Sequence, residues 1–180
     1  VEAHLLDVTD PATVFRCFAE TERAFGRLDV LVNSAGIAID RNRAASAHDM
    51  EKIQATLNVN LLGAWRCSME GIGLMRKHGY GRIINVSSGM ASLERMKQGS
   101  PAYRVSKAAL NALTRVLADE VAGEGILVNS ASPGVAATRM TYEGGAPTPT
   151  QAAESMLWLA TTPNDGPSGR FFEGESELPW

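Results

Sequence analysis

Apolar and polar positions along the chain follow two alternating rhythms. Short runs that are apolar almost throughout, such as AHLLDV, LDVLV and GRIINV, are separated by longer stretches in which apolar residues return every three or four positions. A strand buried on both faces reads as the first kind, and an amphipathic helix as the second. The pattern predicts strands over Ala3 to Val8, Leu28 to Val32, Arg82 to Val86 and Ile126 to Ala131, with a last one in GRFFEG. Helices are expected over TDPATVFRCFAETERAFG, from about Ala47 to Lys77, from Tyr103 to about Ala122, and in a shorter segment through Trp158. In the first helix Thr9 is the expected N-cap, Pro11 lies in the first turn and Gly26 is the stop.

Strands alternating with helices predict an α/β fold: a Rossmann-like, doubly wound parallel sheet covered by helices on both faces, in three α/β/α layers. Neither a linker nor a repeat interrupts it, so residues 1–180 are expected to form a single domain. Ligands in such sheets bind at the carboxyl ends of the strands. Here those ends read DVTD, NSAG, VSSG and SPGVAAT, all small and polar.

Composition narrows the function. The net charge is −3 and no basic stripe runs along any predicted helix, which argues against nucleic acid as a partner. No apolar run is long enough to span a bilayer, so a membrane partner is not expected either. Cys17 and Cys67 are not a C-x-x-C pair and read as reduced core thiols, which fits a cytoplasmic protein. His4, His48 and His78 have no ligand spacing, so no metal is assigned. Trp65, Met69 and Met75 are expected in the core or at a subunit contact.

The chemistry gathers near one helix start. Tyr103 and Lys107 lie four apart, one turn above the other. Such a pair is common on solvated helix faces, but this one follows a strand that ends in Ser87 and Ser88, and Asn60 stands in the preceding helix. An ammonium beside a phenol favours the phenolate, so Lys107 is expected to lower the Tyr103 pKa from about 10. Tyr103 could then exchange a proton with an alcohol or carbonyl oxygen, which a serine hydroxyl would orient. A nicotinamide cofactor would supply the matching hydride. Ser87, facing the other side of the strand from Ser88, reads as structural.

These residues resemble the short-chain dehydrogenase/reductase family from about Leu5 to the end of the chain. LDVTD is similar to its adenine-contacting Asp-Val, NSAG to its Asn-Asn-Ala-Gly turn with Ser34 replacing the second Asn, and NLLG to its Asn-x-x-Gly. GRIINVSSGM resembles the strand carrying the catalytic serine, YRVSK its Tyr-x-x-x-Lys, and SPGVAAT the Pro-Gly turn flanking the nicotinamide. The resemblance implies Tyr103 as acid/base, Lys107 as its tuner and a ribose ligand, Ser88 as orienter of the substrate oxygen, and Asn60 as holder of a relay water. It places Asp7, Val8, Asn33, Ala35 and Gly36 on the adenosine side and Ala136 and Thr138 at the nicotinamide end. It further implies NAD or NADP as cofactor, a small carbonyl or alcohol substrate, a homodimer or homotetramer, and, from the tail DGPSGRFFEGESELPW, kinship with carbonyl reductases.

The sequence departs from the family in one respect. The T-G-x-x-x-G-x-G turn, which in the family follows the first strand and opens a helix, has no counterpart here, and Gly71/Gly73 and Gly79/Gly81 lie in the wrong contexts. The first βαβ unit is missing, so the chain reads as an N-terminally truncated family member. Two functions follow as expectations: a short-chain oxidoreductase, or an inactive fragment or non-catalytic Rossmann-like interaction module.

Overall fold

The computed structural model describes residues 2–46, 49–134 and 148–180. Its frame is a sheet whose first four strands are parallel: β1 (Val30–Asn33), β2 (Gly81–Val86), β3 (Ile126–Ser132) and β4 (Phe171–Glu173), with a short antiparallel β5 (Ser176–Glu177) after them. Spatial order equals chain order, and β1 is one edge. The described residues also form five α-helices: α1 (Pro11–Phe25), α2 (Met50–Leu57), α3 (Ala64–Arg76), α4 (Pro101–Glu120) and α5 (Pro149–Thr161).

The central strands carry apolar residues on both faces because both faces are covered. Ile83 and Val128 join Ile72, Met75, Leu110 and Leu117 from α3 and α4 in one buried cluster. The next residue of β2, Ile84, points the other way and packs with Leu159 of α5 and with Ala131 and Phe172. A third cluster joins α1 to α3 through Val14, Phe18, Cys67 and Leu74.

The segment expected as the first strand, Ala3 to Val8, is not a strand. Its apolar residues have no neighbouring strand to pair with, and Leu5 is 84% exposed. Side-chain contacts with helices anchor it instead: Val8 lies against Gly63, and His4 bonds Glu20 of α1. The N-cap of α1 is Asp10, whose carboxylate accepts from the Ala12 amide at 2.9 Å, while the Thr9 hydroxyl donates to Asp7 at 2.7 Å. Gly26 stops the helix in a left-handed conformation, φ 71°, as a glycine after a helix commonly does.

The helix expected from Ala47 to Lys77 is two helices joined by a π-helical segment, Asn58–Gly63. Ala47 and His48 lie outside the described residues. Met75 is in the core, whereas Trp65 and Met69 are exposed. Cys67 is buried and Cys17 half-buried, both as free thiols, and burial pushes the Cys67 pKa up to about 11.

A candidate active site at the strand ends

The carboxyl end of β2 is clamped to α4 from both sides. The Lys107 ammonium donates to the Val86 carbonyl at 2.7 Å, and the Ser87 hydroxyl donates to the Lys107 carbonyl at 3.4 Å. Ser87 is therefore occupied structurally. The chain then turns outward at Ser88, whose hydroxyl accepts from the Met90 amide at 3.2 Å and caps a single 3-10 turn, Gly89–Ala91. That turn brings the Ser88 side chain up to the Tyr103 phenol.

Burial pushes the Tyr103 phenol above its ordinary pKa, against the opposing pull of the Ser88 hydrogen bond and of the charge on Arg41. The expected lowering by Lys107 is absent. Lys107 is only 4% exposed, and its ammonium stands 6.0 Å from the centre of the Tyr103 ring while held by the Val86 carbonyl. Burial brings the pKa of Lys107 itself down to about 8.

The loop after β1 closes over the same place. A Cβ on Gly36 would lie 3.5 Å from the Lys107 ammonium nitrogen and 3.6 Å from Asn60 Oδ1, so Gly36, Lys107 and Asn60 adjoin. The Asn60 carboxamide fixes this loop: Oδ1 accepts from the Ile37 amide at 2.8 Å, and Nδ2 donates to the Ile37 carbonyl at 2.9 Å and the Ser106 hydroxyl at 3.0 Å. Two of these three bonds go to the Ile37 backbone and the third to the Ser106 side chain. The wide π-helical turn is what brings this face of Asn60 inward, a use typical of such turns at functional positions.

The residues assigned to the adenosine side divide. Val8, Asn33 and Ala35 line one cavity of about 270 Å³, walled by Leu6, Phe18 and Leu31. Asn33, however, turns its amide inward, donating to Asn85 at 2.8 Å and Ser68 at 3.0 Å. Asp7 is exposed and accepts from the Thr9 amide and hydroxyl, which holds its carboxyl below the usual pKa. Ala136 and Thr138 lie outside the described residues.

A dinucleotide fits this site in part. Lys107 is a buried cation beside a side-chain-free Gly36, a suitable place for a ribose hydroxyl, and the apolar cavity suits a flat ring. A diphosphate finds no matching cradle among the described residues. Of the helix starts near the cavity, that of α1 carries Asp10 at its cap and Asp7 close by, and two carboxylates repel an anion.

One side chain beside the site escapes sequence reasoning altogether. Asp40, buried in the loop after β1, accepts from the Ala102 amide at 2.6 Å and the Tyr103 amide at 3.4 Å. No local signal marks a cap that comes from 62 residues upstream.

The sequence pattern of short chain dehydrogenases matches residues 1–147, and the chain belongs to that family. Among curated relatives, it is 37% identical over 138 residues to a short-chain type dehydrogenase/reductase of Picea abies, covering 77% of this chain and 50% of that one. It is also 37% identical over 139 residues to the chloroplastic NADPH-dependent aldehyde reductase 2 of Arabidopsis thaliana, with the same coverage. The chain spans about half the length of these two relatives. Among solved structures, the NADPH-bound carbonyl reductase from chicken fatty liver superposes with a TM-score of 0.86 at 25% identity, covering 97% of this chain and 75% of that one. Carbonyl reductase Sniffer of D. melanogaster gives 0.88 at 25% identity, with 97% and 76% covered.

Proposed function

We propose that the chain carries the catalytic portion of a nicotinamide-dependent reductase, using NAD or NADP to interconvert a small carbonyl compound and its alcohol. The observation that carries this reading is the convergence of Ser88, Tyr103 and Lys107 at one strand end, with Gly36 and Asn60 closing the far side. The relatives named NADPH-dependent aldehyde reductase and carbonyl reductase support the substrate class.

A bound nicotinamide would supply the hydride. The chain's own residues handle the proton. Tyr103 donates its phenolic proton to the carbonyl oxygen as charge develops there; its raised pKa in the free protein keeps it protonated and ready to do so. Ser88 donates to the same oxygen and fixes its direction. Lys107 keeps two N–H bonds beyond the one to Val86, enough for the ribose hydroxyls, and its charge stabilises the phenolate that remains. Asn60 holds the Gly36–Ile37 backbone that bounds the site.

The proposed assembly is a homodimer or homotetramer formed through α3 and α4, which expose Trp65, Met69, Val105 and Val116. A cytoplasmic setting is proposed on the free thiols Cys17 and Cys67, and no described helix is long and apolar enough to cross a membrane. A non-catalytic interaction module is the second reading, favoured by the open edge of β1, where Val32 is 48% exposed. Assaying the chain against aldehydes and ketones at saturating NADH and NADPH decides between them. The first reading expects turnover that Tyr103→Phe abolishes without unfolding the protein; turnover retained in a folded Tyr103→Phe, or none in the wild type, goes against it.

A further inference from the structure

The start of α4 is built unusually. Ser100, in the N-cap position, adopts a left-handed conformation (φ 50°, ψ 52°) and makes no side-chain cap. Pro101 has no amide hydrogen, and the Arg104 amide donates to the Ser100 carbonyl at 3.0 Å. That leaves the amides of Ala102 and Tyr103, and both donate to one oxygen of Asp40. Every donor of the first turn is thereby satisfied, and the acceptor comes from another part of the fold. A carboxylate at this place also meets the positive end of the helix dipole.

Asp40 is costly to keep there. It is 4% exposed, and its second oxygen has no donor among the described residues. Burying a half-satisfied carboxylate costs stability, so its own hydrogen bonding does not account for the position. Its contacts do: it joins the loop that Asn60 clamps at Ile37 to the helix turn that carries Tyr103.

We propose that Asp40 is a positioning residue, whose carboxylate caps α4 from the loop after β1 and so holds the first helical turn where Tyr103 meets Ser88. The proposal rests on the reading of Tyr103 as the proton donor for its catalytic meaning, though not for its geometry. Without the cap, the two amides lose their acceptor, the turn frays, and the phenol leaves Ser88. A near-ångström displacement of an acid/base group lowers turnover on the order of 10- to 100-fold.

The test compares Asp40→Ala with Asp40→Asn, whose carboxamide oxygen still accepts. Two readouts are independent of activity: amide-hydrogen exchange at Ala102 and Tyr103, and the 13Cζ resonance of Tyr103, assigned among Tyr80, Tyr103 and Tyr142 through Tyr103→Phe. In Asp40→Ala, exchange is expected to speed up in the first turn of α4 while the sheet stays protected, and the Tyr103 resonance is expected to move. In Asp40→Asn both stay close to wild type. Under the proposed function kcat falls at least tenfold in Asp40→Ala with carbonyl KM within twofold, and Asp40→Asn restores most of it. Should Asp40→Ala not fold, Asp40→Ser, polar but too short to reach the helix, is judged by the same criteria. Wild-type exchange and an unmoved Tyr103 resonance in the folded variant overturn the proposal. A moved resonance in a chain whose wild type reduces no carbonyl supports the positioning and overturns the function instead.

Discussion

Asn33 and Asn85 stand opposite one another on β1 and β2, and the amide of the first donates to the side-chain oxygen of the second at 2.8 Å. The line continues across the sheet: Asn85 donates to Thr114 of α4 at 2.8 Å, and Thr114 shares a 2.8 Å bond with Ser130 of β3. All four side chains are buried, and Asn33 and Thr114 have further partners in Ser68 and the Leu110 carbonyl. Asn85→Ala removes the middle of this chain and takes one hydrogen bond each from Asn33 and Thr114. An unfolding free energy lower by about 1–3 kcal/mol is expected by denaturant titration, at about 0.5–1.5 kcal/mol per hydrogen bond. A loss under about 0.5 kcal/mol would mean that water replaces the missing amide.

Lys107 gives the fold a distinct pH dependence. Its pKa is about 8 when folded and about 10.5 when unfolded, because burial disfavours the charged form. Below pH 8 both states hold the proton and stability does not vary through this group. Between pH 8 and 10.5 the unfolded chain holds the proton more often, so stability rises with pH. The full effect is on the order of 3 kcal/mol, at about 1.4 kcal/mol per pKa unit. Urea titrations at pH 7.5 and 10 are expected to show this rise in the wild type, beyond whatever Lys107→Met shows. Equal slopes in the two proteins would mean that Lys107 does not titrate as its burial implies.

Gly63 admits no side chain. A Cβ there would stand 2.6 Å from Val8 Cγ2, inside contact distance, and Val8 would have to leave. Gly63→Ala is expected to cost about 1–3 kcal/mol by this overpacking and to free residues 2–8 for proteolysis before the rest unfolds. Shortening the Val8 side chain in the same protein, Gly63→Ala with Val8→Ala, is expected to recover part of the loss. No recovery in the double variant would place the strain elsewhere.

The 180-residue chain is expected to bind NADH and NADPH weakly. Lys107 and Gly36 would suit the nicotinamide ribose, but the start of α1, capped by Asp10 with Asp7 nearby, would offer a diphosphate no favourable cradle. Charge-assisted hydrogen bonds contribute about 1.5–3 kcal/mol each. Missing two of them weakens binding roughly a hundredfold or more, at tenfold per 1.4 kcal/mol. Calorimetric titration reads this directly, and micromolar affinity for the folded chain would contradict it.

Much of the sheet could be read from sequence because Ile83 and Ile84 face opposite layers and both must be apolar, leaving an uninterrupted run. Pro11 and Gly26 likewise mark α1 through backbone rules that hold in any context. AHLLDV misleads because an apolar run carries no information about whether a neighbouring strand exists to pair with it. The short β5, two residues against β4, is below the length at which alternation can be seen. At the site, the grouping of Ser88, Tyr103 and Lys107 follows from a strand end feeding a helix start. The depth of Lys107, which turns it toward Val86 rather than Tyr103, depends on packing that spacing does not encode. Asp40 belongs to the same class: only the folded backbone brings a loop carboxylate to a helix 62 positions later.

The π-helical segment at Asn58–Gly63 is, in effect, a phase shifter. One extra residue in a helix of 3.6 per turn rotates everything after it by about 100°. Residues before it can therefore present their stripe to α4 while residues after it present theirs to α1 and β1, with the axis scarcely interrupted. What Asn60 requires is thus a count as well as an identity. A chain one residue shorter in this turn could keep the same amino acids and still swing the carboxamide off Ile37, or else bring α3 round with its Cys67 and Leu74 side facing away from α1.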